Sequence, residues 1–339
     1  MLKQDQLVNV EDLQVFFHTD DGIVRAVDGV SFDIKKQETL GVLGESGCGK
    51  SITARALLNL IPRPRGRIHK GKIFLHQEQG QPLDILSLNP FGKQMGRVRG
   101  REISIVFQEP MTSLNPVYTI GQQIMEAVRL HHGLSKKAAR DRAAEMLSLV
   151  GISSPAESVD KYPHEFSGGM RQRAMIAIAL SCSPKLLIAD EPTTALDVTI
   201  ESQILELMQE LQDTMNMSIM FITHDLGVIG EIADRVIVMY AGKIVERGTC
   251  REIFYEPKHP YTQKLLESRP KVGKEGELSS IRGSVPSPFS LPKGCYFAPR
   301  CDHAHDRCHQ DPEEIRISEG HWAKCWLYDE GGDNIAAAE

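Results

Sequence analysis

The 339-residue sequence contains no apolar run long enough to cross a bilayer. Its richest stretches, residues 175–180 and 236–240, fall far short of the roughly 20 residues that a spanning helix needs. No secretory pattern is visible at residues 1–5, so the sequence reads as cytosolic, with any membrane role reached through a partner. Excess basic charge is also missing. Lys and Arg number 39 against 45 Asp and Glu, a net charge of −6, which argues against a general nucleic-acid binder. There is no internal repeat, no low-complexity tract and no sustained heptad pattern, which excludes solenoids and long coiled coils. What is present is ordinary globular composition, 41% apolar and 25% charged, over a length that suits one large domain with an appendage or two domains. Cysteine is sparse in the body, at Cys48, Cys182 and Cys250, and crowded near the end, at Cys295, Cys301, Cys308 and Cys325. In a reducing compartment such crowding points to metal rather than to disulfides.

The most informative segment is Gly44-Glu45-Ser46-Gly47-Cys48-Gly49-Lys50-Ser51, which fits the phosphate-loop pattern G-x-x-x-x-G-K-[ST] in full. Its glycines let successive backbone N–H groups turn toward phosphates. Lys50 can reach the β- and γ-phosphates, and the Ser51 hydroxyl can ligate Mg²⁺. Residues 39–43 read as a short buried strand and residues 51–58 as a helix whose N-terminus faces the anion. Cys48 reads as packing within the loop.

The rest of the chain gives a coarse map. Residues 8–43 alternate like strands, with a hairpin expected at Asp21-Gly22. Strands are expected at 71–75 and 102–107, and amphipathic helices at 120–131 and 136–150, the second capped by Ser135. Residues 185–189 and 218–223 read as fully buried parallel strands, 200–215 as a helix, and 234–240 with 243–247 as a hairpin. Prolines at 257, 260, 286, 288 and 292 punctuate a looser tail.

The strand at 185–189 runs into Asp190 and Glu191, where an acid can hold Mg²⁺ and a second can orient and deprotonate an attacking water. A second anion site is suggested by Phe166-Ser167-Gly168-Gly169-Met170, a small and open helix start. Because the chain already has its own phosphate loop, this second site needs another nucleotide or another molecule's nucleotide.

Five motifs in this order resemble the ATP-binding-cassette (ABC) ATPases: the phosphate loop, Phe107-Gln108-Glu109, the signature 166–170, residues 187–191 followed by Thr194-Ala195-Leu196-Asp197, and Thr223-His224-Asp225. Phe166 and Met170 stand where Leu and Gln are commonest in that family. The resemblance implies an α/β phosphate-loop fold: a parallel-sheet RecA-like subdomain, an antiparallel β subdomain, a helical signature subdomain at about 110–165, and an irregular Cys-rich tail. The nucleotide-binding domain would span 1–257 and the extension 258–339. It further implies that ATP is sandwiched head to tail between two copies. The implied nucleotide contacts are Phe17 (stacking on adenine, with Phe16 as its alternative), Gly44, Glu45, Ser46, Gly47, Cys48, Gly49, Lys50, Ser51, Ile52, Gln108, Ser167, Gly168, Gly169, Asp190 and Asp197. Ser51, Gln108 and Asp190 would hold Mg²⁺, and Lys50, Glu191 and His224 would carry catalysis.

Residues 108–116, 162–166, 190–199 and 259–262 narrow the resemblance to the bacterial oligopeptide/dipeptide/nickel importer ATPases, with likeness running from about residue 8 to 327. That implies a peripheral subunit on the cytoplasmic face of the inner or plasma membrane. Its partners would be two membrane permeases, a second ATPase (paralogue or self) and, indirectly, an extracytoplasmic substrate-binding protein, with no nucleic acid. Met111 and Leu114 are candidate permease contacts. Di- and oligopeptides are the expected cargo, with nickel or oligosaccharides as alternatives. Readings from other classes are a soluble ABC ATPase acting on ribosomes or DNA, and a redox-sensing module working through the tail. The spacing Cys295-x₅-Cys301-x₆-Cys308-x₁₆-Cys325 is neither a C-x-x-C zinc pattern nor a compact ferredoxin run. Four thiolates can still ligate an iron–sulfur cluster or Zn²⁺, with redox thiols as the third possibility. A similar tail in dipeptide-transporter ATPases implies a [4Fe–4S] cluster. His303, His305 and His309 lie among the cysteines as substitute or supporting ligands.

Overall fold

The computed structural model describes residues 5–77, 79–108, 113–194, 197–268 and 281–329. Glu109, Met111, Ala195 and Leu196 of the expected motifs lie outside the described residues. In chain order the first half holds β1 (Gln6–Thr19), β2 (Gly22–Lys35), β3 (Thr39–Leu43), α1 (Lys50–Leu57), β4 (Gly66–Leu75), β5 (Leu83–Asp84), α2 (Lys93–Arg97), β6 (Ile103–Val106), α3 (Ile120–His132) and α4 (Lys136–Leu149). The second half holds α5 (Pro155–Ser158), α6 (Gly168–Leu180), β7 (Leu186–Asp190), α7 (Val198–Met215), β8 (Ser218–Ile222), α8 (Leu226–Ile232), β9 (Arg235–Tyr240), β10 (Lys243–Thr249), α9 (Cys250–Tyr255), α10 (Pro260–Glu267), β11 (Ile315–Arg316) and β12 (Trp322–Ala323).

The chain divides into two compact units. The first comprises Met1–Val8, Ile34–Thr39 and Leu75–Ile222. In it β6, β7 and β8 run parallel, Ile188 pairing with Ile105 on one side and Met220 on the other. All five residues of β7 and of β8 are buried, which is why these strands read as continuous apolar runs instead of alternating. The helices α3 and α4 are punctuated by local chemistry. Thr119 and Gln122 form a capping box at the start of α3, and Ser135 caps α4. Arg173 on α6 donates to the Val150 carbonyl at 2.7 Å, which ties α6 to the end of α4. Leu114, an expected permease contact, is only 4% exposed, so its side chain belongs to the interior of this unit.

The second unit comprises Asn9–Asp33, Leu40–Phe74 and Thr223–Glu339. Strands β2, β1 and β4 lie side by side in that order. The buried positions of β1 change parity, from Val8 and Val10 to Leu13 and Val15, at Asp12, whose φ of 44° is left-handed. Beside this irregularity a Cβ on Gly71 would stand 2.6 Å from the Leu13 Cα, so only glycine fits there. Strand β3 runs parallel to β9, and β9 turns at Ala241-Gly242 into antiparallel β10. The tail then continues the same sheet. Strand β12 pairs with β10, Glu246 opposite Ala323, and β11 pairs with β12. These two short strands were not expected in a proline-punctuated tail. Two-residue strands carry no periodicity and exist only because β10 offers them an edge.

Candidate active site

In the second unit, β3 delivers the chain into the phosphate loop and α1 takes it out. A Cβ on Gly44 would lie 2.3 Å from the Met239 carbonyl oxygen, and one on Gly49 (φ 104°) 2.3 Å from the Ala26 carbonyl oxygen. Gly49 precedes α1 without a side-chain cap, so no side chain of that residue covers the helix start. Lys50 is 5% exposed, and its ammonium donates to the Gly44 and Glu45 carbonyls at 2.7 and 3.2 Å. Cys48 is buried with its Sγ 4.0 Å from that ammonium, and burial pushes its thiol pKa up, consistent with a packing role.

Two residues that the sequence did not single out for this loop reach it from the tail. The Tyr261 hydroxyl accepts from the Glu45 N–H at 3.0 Å, and Arg300 donates to both carboxylate oxygens of Glu45 at 2.8 and 3.3 Å. Tyr261 sits in the quoted 259–262 segment and Arg300 directly precedes Cys301. Only a contact more than 200 residues away in sequence gives either its meaning.

Phe16 stacks on His69 with ring centroids 4.7 Å apart, and Arg25 lies 5.6 Å above it. Adjacent Phe17 is half-buried, its ring edge against Gly66. His224 is exposed, between Thr223, whose N–H bonds to the Val42 carbonyl, and Asp225, whose carboxylate caps α8.

In the first unit, Asp190 closes β7 at 3% exposure. Glu191 turns the chain with a left-handed φ of 49°, and its N–H donates to the Ile222 carbonyl at 2.8 Å. Its carboxylate accepts from the Gln108 amide at 2.8 Å and from the Thr194 hydroxyl at 3.2 Å. A carboxylate fixed in this way at the C-terminal edge of a parallel sheet can orient a water or accept a proton. Ser167 caps α6, accepting from the Met170 N–H, and Gly168 is exposed with open space where a Cβ would be. Asp197 caps α7 by accepting from the Ile200 N–H at 2.9 Å, and the Ile200 side chain closes to 3.0 Å of where a Gly169 Cβ would be. The signature turn and the Asp197 cap are thus neighbours. The expected nucleotide residues divide between the units: Gln108, Ser167-Gly168-Gly169, Asp190, Glu191 and Asp197 in one, the phosphate loop, Phe17 and His224 in the other.

The four tail cysteines line one cavity of about 10 Å³, together with apolar Phe297, Pro312 and Leu327. His303 and His305 line it as well, whereas His309 does not. Burial raises the thiol pKa of Cys295, of Cys301 to about 11 and of Cys325 to about 12. The donor set is soft and suits thiophilic metals. The grouping of the side chains does not: among the described residues no three His, Cys, Asp or Glu side chains are grouped so as to hold a metal ion. The expected metal centre at Cys295, Cys301, Cys308 and Cys325 is therefore not supported by this arrangement. All seven cysteines are free.

A phosphate loop between strand and helix, a parallel sheet ending in paired carboxylates and a capped Ser-Gly-Gly helix start define an α/β phosphate-loop nucleoside triphosphatase. Residues 27–194 match the ABC transporter family, and residues 245–308 match the oligopeptide/dipeptide transporter C-terminal region. The oligopeptide transport ATP-binding protein OppD of Bacillus subtilis (strain 168) is 51% identical over 330 residues, covering 96% of this chain and 90% of that one. The dipeptide transport ATP-binding protein DppD of the same organism is 48% identical, covering 97% of each. Among solved structures, cbiO1 from Clostridium perfringens, part of the ABC transporter complex cbiONQ, aligns with a TM-score of 0.61 at 29% identity over 75% of this chain and 92% of that one. The ATP-binding cassette MJ0796 in its dimeric post-hydrolysis state shares the fold, with a TM-score of 0.63 at 24% identity over 72% of this chain and 99% of that one. The chain belongs to the ABC transporter ATPases, in the branch that carries the oligopeptide/dipeptide C-terminal region.

Proposed function

We propose that this ATPase energises the uptake of di- and oligopeptides through two membrane permeases at the cytoplasmic face of the membrane. It would act as one of a pair of ATPases and be supplied indirectly by an extracytoplasmic binding protein. The observation that carries the reading is the grip of Gln108 and Thr194 on the Glu191 carboxylate. It leaves one oriented acid to accept the proton of a water attacking the terminal phosphate. Residues 1–257 supply the nucleotide machinery, and 258–339 form the transporter-type extension.

Phe17 stacks the adenine, the N–H groups of residues 44–52 cradle the phosphates, and Lys50 leaves its two loop carbonyls for the phosphate oxygens. Ser51, Gln108 and Asp190 are hard oxygen donors of the kind that suit Mg²⁺, which when bound neutralises charge on the β- and γ-phosphates. His224 contacts the γ-phosphate and keeps the water in line. The exposed Ser167-Gly168-Gly169 turn completes the pocket of the other ATPase, with Asp197 beside it. ATP is then the bridge between two subunits, and its hydrolysis releases them. What favours a [4Fe–4S] cluster in the tail, with Zn²⁺ as the alternative, is the soft donor set of Cys295, Cys301, Cys308 and Cys325, and either would require the side chains around the cavity to regroup. Anaerobic purification followed by iron, sulfide and zinc analysis of wild type and Cys301→Ser/Cys308→Ser tests it. Metal present in the wild type and lost in the variant is expected, and equal metal in both contradicts it.

The transport reading is tested in vesicles holding this chain with its permeases and binding protein. Labelled dipeptide should enter only when ATP is supplied on the ATPase side. Association with ribosomes or DNA in place of permeases would reject it.

A further inference from the structure

A carboxylate inside a phosphate-binding loop is an electrostatic liability. Glu45 is the second residue of the loop, its carbonyl bonds to the Lys50 ammonium at 3.2 Å, and its charge has the same sign as the polyphosphate. The tail neutralises it. Arg300 is 5% exposed at its side chain, and all five of its N–H donors are used. Nη1 donates to Glu45 Oε2 at 2.8 Å and to the Tyr240 hydroxyl at 3.3 Å. Nη2 donates to Glu45 Oε1 at 3.3 Å and to the Ile281 carbonyl at 3.4 Å, and Nε donates to the Arg282 carbonyl at 3.0 Å. The fork is thus aimed by two backbone carbonyls and a buried phenol, with Glu45 as its one carboxylate acceptor among the described residues. Tyr261, fully buried, holds the same residue by its backbone N–H, so Glu45 is pinned at both its amide and its carboxylate.

The geometry points to Arg300 as a positioning residue for ATP binding. The C-terminal extension braces the phosphate loop through Arg300 and Tyr261, and Arg300 keeps the Glu45 charge away from the triphosphate. The inference rests on the nucleotide-site reading above. It makes the tail a determinant of ATP affinity, not an appendage. Because Cys301 follows Arg300 directly, a ligand at the cysteine-lined cavity that moved Arg300 would change nucleotide affinity, and nucleotide would change that ligand's affinity by the same factor.

The test is a cycle of binding measurements with MgATP on the full chain, read by equilibrium binding and by the split between KM and kcat. Binding to the wild type checks the nucleotide-site reading by itself. Arg300→Met should weaken MgATP about tenfold, the order expected for one uncompensated like charge beside the phosphates at the effective dielectric of a protein surface, with kcat largely kept. Adding Glu45→Gln should restore affinity to within twofold of Glu45→Gln alone, because the offending charge is gone. Arg300→Lys, which keeps the charge and loses the fork, should fall between wild type and Arg300→Met. If Arg300→Met does not fold, Arg300→Lys decides: a few-fold loss erased by Glu45→Gln supports the brace, and unchanged affinity overturns it. Equal weakening in the presence and absence of the Glu45 carboxylate overturns it as well, since a purely structural arginine would act without reference to that charge.

Discussion

Residues 44–51 and 294–310 are both stretches with little regular backbone, and both stand beside buried aromatics, but they are held by opposite means. The phosphate loop is held mainly through its backbone. Gly44 and Gly49 let it pass against the Met239 and Ala26 carbonyls, Lys50 bonds to carbonyls of its own loop, and Arg300 and Tyr261 brace Glu45 from the tail. The cysteine-bearing tail is shaped from outside. Buried Glu246 accepts from the backbone N–H groups of Lys258 and His259 and pairs with His321 at 2.8 Å. Phe297 fills the space among Tyr240, Tyr261 and His259, and Tyr328 reaches the Lys258 carbonyl. A site made locally fails when its own backbone is altered, whereas a site made by distant side chains fails through its anchors.

The sharpest way to break this contrast is Gly49→Ala. A Cβ 2.3 Å from the Ala26 carbonyl, at a φ of 104°, forces the loop to move. Nucleotide affinity should fall at least a hundredfold while the tail stays folded, measured by equilibrium binding alongside thiol accessibility of Cys301. Next is Phe297→Ala, which empties a position 1% exposed. It should cost about 3–5 kcal/mol in denaturant unfolding, and preserved stability would mean that the aromatic cluster does not organise the tail.

A third effect depends on pH. Buried His259 has its pKa pushed down to about 4 by desolvation, against the raising influence of Glu246. Its Nδ1 accepts from the Tyr261 N–H, a bond that only the neutral ring can make. Below the ordinary histidine pKa the unfolded chain binds a proton that the folded chain refuses, so stability falls as pH drops from about 6.5 toward about 4, by about 1.4 kcal/mol per unit. His259→Asn should flatten that slope in unfolding midpoints taken across the window. The smallest expected change is Tyr328→Phe, which deletes one hydrogen bond to the Lys258 carbonyl. It should cost about 1 kcal/mol and leave nucleotide binding untouched.

The same contrast explains what could be read from the sequence. The phosphate loop, the buried strands 186–190 and 218–222 and the cap at Ser135 are local in origin, so spacing and residue type were enough. The Ser167-Gly168-Gly169 turn needed its place among the other motifs, because a Ser-Gly-Gly start alone is an ordinary loop. Strands β11 and β12, the Glu246–His321 pair and the Arg300–Glu45 fork were not legible. The β10–β12 pairing, the Glu246–His321 pair and the Arg300–Glu45 fork join residues 75 to 255 positions apart, and nothing in either partner's neighbourhood announces the other. The cysteine tail is the intermediate case. Spacing identified the donors and the fold brings them to one cavity, but its size of about 10 Å³ is no property of spacing.

The central claim is that Glu191, held by Gln108 and Thr194, is the base of an ATPase. It is tested most directly by comparing ATP binding and phosphate release for wild type and Glu191→Gln. The account predicts ATP binding within a few-fold of wild type, release slowed by about 10²–10⁴-fold, and accumulation of an ATP-bound dimer. Phosphate release at the wild-type rate by Glu191→Gln would contradict it.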